Sequence, residues 1–196
     1  GVAPFGVTPA ERLVRALRRA GVAAIARHPE SPPPADRIVV VRADHLYDEA
    51  IVRALVARDG VLLVDGKGAA LAATVAAADA PALAAALAVG QRVPDGLRHL
   101  TATAAGDLAP AYRDALRKRA QPLLVALDGT TRRAAERRLF DDAYKGVTDI
   151  VTKYLWPWPA FHATRLAAAL GVSANQVTWA SLAFVLAALV LFRDGL

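Results

Sequence analysis

Between Ala10 and Gly21 the apolar residues Leu13, Val14, Leu17 and Ala20 recur at helical spacing, with Arg12, Arg15, Arg18 and Arg19 falling between them. The pattern predicts an amphipathic helix closed by Gly21, with Thr8 as its N-cap and Pro9 at the first helical position. Val22 to Ala26 is expected as a short strand. The proline-rich loop Pro29 to Pro34 leads into Ile38-Val39-Val40-Val41, a β-branched run of the kind covered on both faces of a parallel sheet. Asp44-His45-Leu46-Tyr47-Asp48 follows at its carboxyl end, then a helix over Glu49 to Arg58 and a second strand over Val61 to Val64, with Asp65-Gly66 as a turn.

Further on the pattern weakens. Ala69 to Ala88 reads as a strand and then a helix, with the break near Asp79 or Pro81; Pro94 to Pro110 reads as a loop with small elements, and Ala111 to Lys118 as a helix. Alternating helices and strands indicate an α/β domain with a mostly parallel sheet. Ligands of open α/β sheets bind beyond the carboxyl ends of strands, which is where Asp44 falls.

After Asp128-Gly129 the character changes. Thr131 to Tyr144 is a basic helix, and Lys145 to Leu170 mixes bases with Trp156, Trp158 and two prolines. Val177 to Phe192 carries no charge, and with Gly171 to Gln176 as its polar entry it is expected to be a transmembrane helix. Trp158 and Trp179 suit a membrane interface, and the excess of bases before the span places residues 1 to about 170 on the cytoplasmic side of a cell's inner membrane. Three parts are therefore expected: an α/β domain over 1–130, a basic amphipathic juxtamembrane region over 131–172, and a membrane helix over 173–196.

Composition sharpens this picture. The chain is 55% hydrophobic but only 6% aromatic, so its apolar content is mainly Ala, Leu and Val. There is no Cys, which excludes disulfides and thiolate metal sites. The net charge of +6 favours an anionic partner, either acidic lipid or a phosphorylated substrate. No basic stripe interleaved with aromatics is present, so nucleic acid is not expected. Met is absent, an initiator included, and the chain reads as part of a longer one.

The run Tyr144-Lys145-Gly146-Val147-Thr148-Asp149-Ile150-Val151-Thr152-Lys153-Tyr154, then Trp156-Pro157, Thr164-Arg165 and Gly171-Val172-Ser173-Ala174-Asn175-Gln176-Val177-Thr178, resembles the opening of a CDP-alcohol phosphotransferase domain. The likeness covers roughly residues 137–196. In that family a basic segment lies on the membrane and a Gly-x-x-Pro-Asn-x-x-Thr box starts the first membrane helix; Ala174 stands here where the family usually has Pro. Residues 6–48 look like a nucleotidyltransferase domain of the kind that precedes some family members, without its glycine-rich phosphate loop.

The resemblance implies an enzyme that transfers a phospho-alcohol group from a CDP-alcohol to an alcohol acceptor and releases CMP. It also implies Mg²⁺ or Mn²⁺ as cofactor, homodimerisation, and a carboxylate signature beyond Leu196, so that residues 1–196 alone are expected to be inactive. The partial echo Leu62-Leu63-Val64-Asp65-Gly66-Lys67-Gly68-Ala69-Ala70 reads instead as a hairpin turn.

Candidate CDP- or substrate-binding residues are Asn175, Thr178, Arg165, Lys153, Lys145 and Asp149. Asn175 has an amide able to pair with a base edge or ribose, and Thr178 lies one turn later; helix capping and packing is the alternative for both. Arg165, Lys145 and Lys153 either clamp phosphate or meet anionic headgroups, the second role suiting the lysines better. Asp149 either pairs with those lysines or orients a base. Asp44 is the candidate metal ligand, with His45 beside it as a loop residue or a cap of the next helix. A membrane-anchored, non-catalytic nucleotide- or partner-binding module and a bifunctional cytidylyltransferase/phosphotransferase are the competing expectations.

Overall fold

The computed structural model describes residues 3–26, 34–90, 95–109, 112–113, 118–119, 121–143 and 154–193. They belong to two compact units, Gly1–Gly146 and Val147–Leu196. The first is a mixed α/β domain. The second is helical and ends in a helix long and apolar enough to span a membrane.

In the first unit, α1 (Pro9–Arg19) starts as its sequence dictates. The Thr8 side chain accepts from the Glu11 backbone N–H, and the Glu11 carboxylate accepts from the Thr8 backbone N–H, closing a capping box. After Gly21 no strand forms. Val22 N–H donates back to the Leu17 carbonyl, and Val22 and Ile25 pack against Leu13, Leu17 and Val52 as core plugs rather than as rungs of a ladder.

β1 (Arg37–Val41), β3 (Val61–Val64), β4 (Ala70–Ala76) and β5 (Thr101–Ala104) form one sheet in the order β1-β4-β3-β5. The expectation of a mostly parallel sheet is corrected. β4 runs antiparallel to both β1 and β3, and only β3 and β5 are parallel. The reason is local: Asp65 to Ala69 is too short for a crossover and closes a hairpin instead. The Asp65 carboxylate accepts from the Lys67 and Ala69 backbone N–H groups, both at 2.8 Å, and Gly68 takes φ +82°, which a side chain would resist.

The alanine-rich β4 lies between β1 and β3, and all but its last residue is buried. A bulge opposite Leu63/Val64 turns Leu71 and Ala72 to the same face. Ala70, Ala73 and Val75 face α3 (Ala80–Val89) with Leu62, Leu83 and Leu87. Leu71 and Ala72 face α2 (Glu49–Ala57) with Ile51, Leu55 and Leu63. On that second face the hydroxyl of buried Thr74 donates to the Leu55 carbonyl at 2.5 Å, satisfying an acceptor in the last turn of α2. The break near Asp79 and Pro81 is where α3 begins, with Asp79 as N-cap.

A second, two-stranded sheet joins β2 (His45–Tyr47) to β8 (Leu124–Ala126). Asp48 ties it to the main body. Its side chain caps α2 through the Ala50 N–H at 3.1 Å, and its backbone N–H donates to the Leu123 carbonyl at 2.8 Å. Between β5 and β8 lie α4 (Ala105–Leu108) and the short antiparallel pair β6 (Tyr112–Arg113) and β7 (Lys118–Arg119). Of the helix expected over 111–118, Tyr112, Arg113 and Lys118 are strand instead, and the rest of that expectation lies outside the described residues. α5 (Arg132–Ala143) covers Leu46 and Leu123 with Ala135.

The second unit contains α6 (Pro157–Ala169) and α7 (Ala174–Arg193). Gly171, at φ +72°, ends α6. Val172 N–H bonds to the Ala167 carbonyl and Gly171 N–H to that of Ala168, the pairing of a helix ended by a left-handed residue.

Thr74→Val should lower unfolding free energy by about 1–2 kcal/mol, because it keeps the shape but orphans a buried carbonyl. Thr74→Ser should stay close to wild type. Denaturant titration of the detergent-solubilised protein, followed by circular dichroism, checks both.

Candidate functional site

The first unit gathers its polar side chains where β1 ends. Arg42 continues the ladder through its backbone N–H to the Leu71 carbonyl, and its side chain turns back onto Asp44. The contact is two-pronged, Nε to Oδ1 at 3.1 Å and Nη2 to Oδ2 at 2.5 Å. Nδ1 of buried His45 lies 2.6 Å from the same Oδ1, and the Tyr47 hydroxyl donates to the Arg42 carbonyl at 2.9 Å. β2 positions His45 and Tyr47 on one side of its pleat, with rings 6.2 Å apart.

Electrostatics follow from these contacts. Burial would raise the Asp44 carboxyl, but the hydrogen bonds from Arg42 and His45 outweigh it and hold the group below its ordinary range. Burial pushes the Tyr47 phenol up, and the charge of Asp44 adds to the shift, so the phenol stays protonated and donates.

Asp44 is therefore not a metal ligand in waiting. Both carboxylate oxygens are engaged, and the Arg42 cation sits where a divalent ion would need to approach. Among the described residues no group of three or more His, Cys, Asp or Glu side chains could hold a metal ion. This overturns the expectation of Mg²⁺ or Mn²⁺ for the described part of the chain. His45 does not cap α2 either, since Asp48 does.

Beside the ion pair lies an open cavity of about 280 Å³, walled by Val40, Val41, Ala84, Leu87 and Ala88, with Arg42 and Asp44 at its polar edge. Its size is at the low end for a small-molecule site. The arrangement can seat a small apolar group against a fixed ion pair; it offers no activated nucleophile. Sequence reasoning singled out Asp44 and missed Arg42 and Tyr47. The available signal was an arginine directly after a β-branched run, two residues before an acid.

In the second unit Asn175 and Thr178 stand one turn apart near the start of α7, both exposed. Neither caps the helix. Ser173 does: its hydroxyl accepts from Gln176 N–H at 3.3 Å, and the Gln176 side chain accepts from Ser173 N–H at 2.8 Å. Thr178 donates to the Ala174 carbonyl at 3.0 Å and Ser181 to that of Val177 at 2.9 Å, so both hydroxyls are satisfied inside the helix, as hydrocarbon surroundings require. Arg165 lies half-buried on α6. Lys145, Asp149 and Lys153 fall outside the described residues.

Twenty helical residues span about 30 Å, the thickness of a bilayer's hydrocarbon core. No α7 residue is buried, and Phe184 and Phe192 are 77% and 81% exposed, a surface that water would penalise and lipid accepts. On α6, exposed Trp158 packs on His162 at 4.8 Å, and Trp156 and Trp179 are exposed nearby in sequence. Such amphipathic rings suit the headgroup level. The chain is thus membrane-associated, with a folded α/β domain outside the bilayer.

Comparison with known proteins found no matching family model, no matching curated protein and no matching solved structure. The likeness to CDP-alcohol phosphotransferases accordingly stands on the residues quoted for it.

Asp44→Asn should lower the thermal midpoint at neutral pH. Because the folded carboxyl titrates below its unfolded value of about 3.9, its contribution is present above that pH and is lost as pH falls toward the folded value. The gap between wild type and variant should therefore close below about pH 4, measured by circular dichroism melts across a pH series.

Proposed function

We propose that this chain forms the donor-binding portion of a membrane phosphotransferase that moves a phospho-alcohol group from a CDP-alcohol to an alcohol acceptor. The observation that supports this reading best is the entry to α7. Ser173 and Gln176 take over the capping of the helix. The Asn175 amide is left exposed, with no hydrogen bond to a described residue, at the polar end of a 20-residue apolar helix. A lipid-tailed nucleotide donor presents its base, ribose and diphosphate at that depth. The amide can pair with a base edge or ribose, and the positive end of the helix favours the diphosphate.

In the reaction the acceptor oxygen forms a bond to the phosphorus carrying the alcohol, the bond from that phosphorus to the CMP oxygen breaks, and the hydroxyl proton passes to a base. The described residues place no carboxylate cluster at this entry. The chain is accordingly read as binding the donor, with the transfer step assigned to no described residue.

A second reading, a membrane-anchored binding module without chemistry, is favoured by one feature. Both carboxylate oxygens of Asp44 are engaged by Arg42 and His45, which ties up the acid nearest the open cavity at the end of β1.

The test is CMP release from a CDP-alcohol by native membranes that contain the protein encoded by the full natural gene. Asn175→Ala should cut the rate about tenfold, the loss of one well-placed hydrogen bond. Thr178→Val, whose hydroxyl serves its own helix, should change it less than threefold. Membranes that release no CMP from any CDP-alcohol would leave the binding-module reading in its place.

A further inference from the structure

We infer that the exposed arginine face of α1 docks the α/β unit onto an anionic phospholipid surface. Successive helical residues turn by 100°, so Glu11, Arg12, Arg15, Arg18 and Arg19 fall within an arc of about 120°. Leu13, Ala16 and Leu17 occupy the opposite side, buried against Val52. With its apolar side spent on the domain core, the helix can meet a membrane only through its charges.

Those charges are unevenly partnered. The one acid of the face, Glu11, gives its carboxylate to Thr8 in the capping box. Arg12 is half-buried and donates to the Pro4 carbonyl at 3.1 Å. Arg19 pairs with Glu49, both exposed, an arrangement that contributes little in water. Arg15 and Arg18 are exposed, and neither has a carboxylate within ion-pair distance among the described residues. α5 makes the contrast. Its arginines alternate with acids, and Arg132 bonds Glu136 at 3.1 Å while Arg138 faces Asp142 at 3.5 Å.

Charge complementarity selects an anionic partner, and the guanidinium fork matches phosphate oxygens. The tether selects lipid: α7 belongs to the same polypeptide, so headgroups are held at high effective concentration. Nucleic acid is disfavoured because α1 carries no aromatic residue on which bases could stack. The inference depends on anchoring by α7 and not on phosphotransfer.

The chain contains no Cys, so a cysteine placed at exposed Ala23, just beyond α1, can carry a single fluorophore. The whole chain is reconstituted in nanodiscs of phosphatidylcholine, alone or mixed with phosphatidylglycerol, with a headgroup-labelled acceptor lipid. Energy transfer should be higher in the anionic discs and should fall when salt shortens the Debye length to about 3 Å near 1 M. Each arginine at such a surface shifts the docking equilibrium about fivefold, so Arg15→Glu with Arg18→Glu should reduce the docked-to-free ratio more than tenfold. Arg58→Glu, an exposed charge outside α1, should leave it within about twofold. Circular dichroism checks folding; if the glutamate pair fails to fold, Arg15→Gln with Arg18→Gln reads the same effect at smaller amplitude.

Equal transfer in neutral and anionic discs would overturn the proposal, as would full docking by a folded double variant. An equal loss from Arg58→Glu would reduce the effect to net charge. Displacement of the docked unit by added RNA below its lipid-saturating concentration would make the partner a nucleic acid.

Discussion

The α/β unit depends on how closely backbone can approach backbone at β4. This strand is hydrogen-bonded on both edges and covered on both faces, and most of its side chains are alanine. Alanine adds little hydrophobic surface, but it lets α3 settle on one face and α2 on the other while Leu62, Leu63, Leu83 and Ile51 fill the space between. Larger residues in the strand would hold the layers apart, and a polar one would need a partner. Thr74, the one polar residue, has found it in the Leu55 carbonyl. The bulge at Leu71 and Ala72 serves the same packing, because it moves a leucine onto the α2 face without breaking the hairpin.

The site at the end of β1 is built on that platform. The ladder delivers Arg42 to the position from which its guanidinium closes on Asp44, and β2, held by Asp48 and β8, brings His45 and Tyr47 to the same point. What results is a chain of linked contacts, Tyr47 to the Arg42 carbonyl and Arg42 and His45 to Asp44, beside a small open cavity. A carboxylate so engaged anchors and orients; it does not recruit a metal ion. The chemistry that the sequence suggested for Asp44 is consumed by its two neighbours.

The second unit follows a different solvent's rules. α7 buries nothing against protein and satisfies its backbone and hydroxyls internally, while α6 ends at a glycine that only two residues separate from the start of the next helix. The two units divide the physical problem. One hides its apolar surface in a core, and the other leaves it for lipid.

Period and punctuation were enough for much of this. The capped arginine helix α1, the β-branched β1, the Asp65 hairpin, the break at Asp79 and the apolar span could be read from residues alone, because each is set by local geometry: a cap, a turn, a run of one character. Asn175 and Thr178 were legible as a pair for the same reason, being one helical turn apart. Only the tertiary structure decided that an alanine run is an inner strand, that the sheet is mixed, that residues 112–113 pair with 118–119, and that Arg42 and His45 occupy Asp44. Alanine has no marked strand preference, and strand direction and ion-pair partners depend on residues far apart in sequence. Such contacts are chosen by burial and by what the rest of the fold brings within reach.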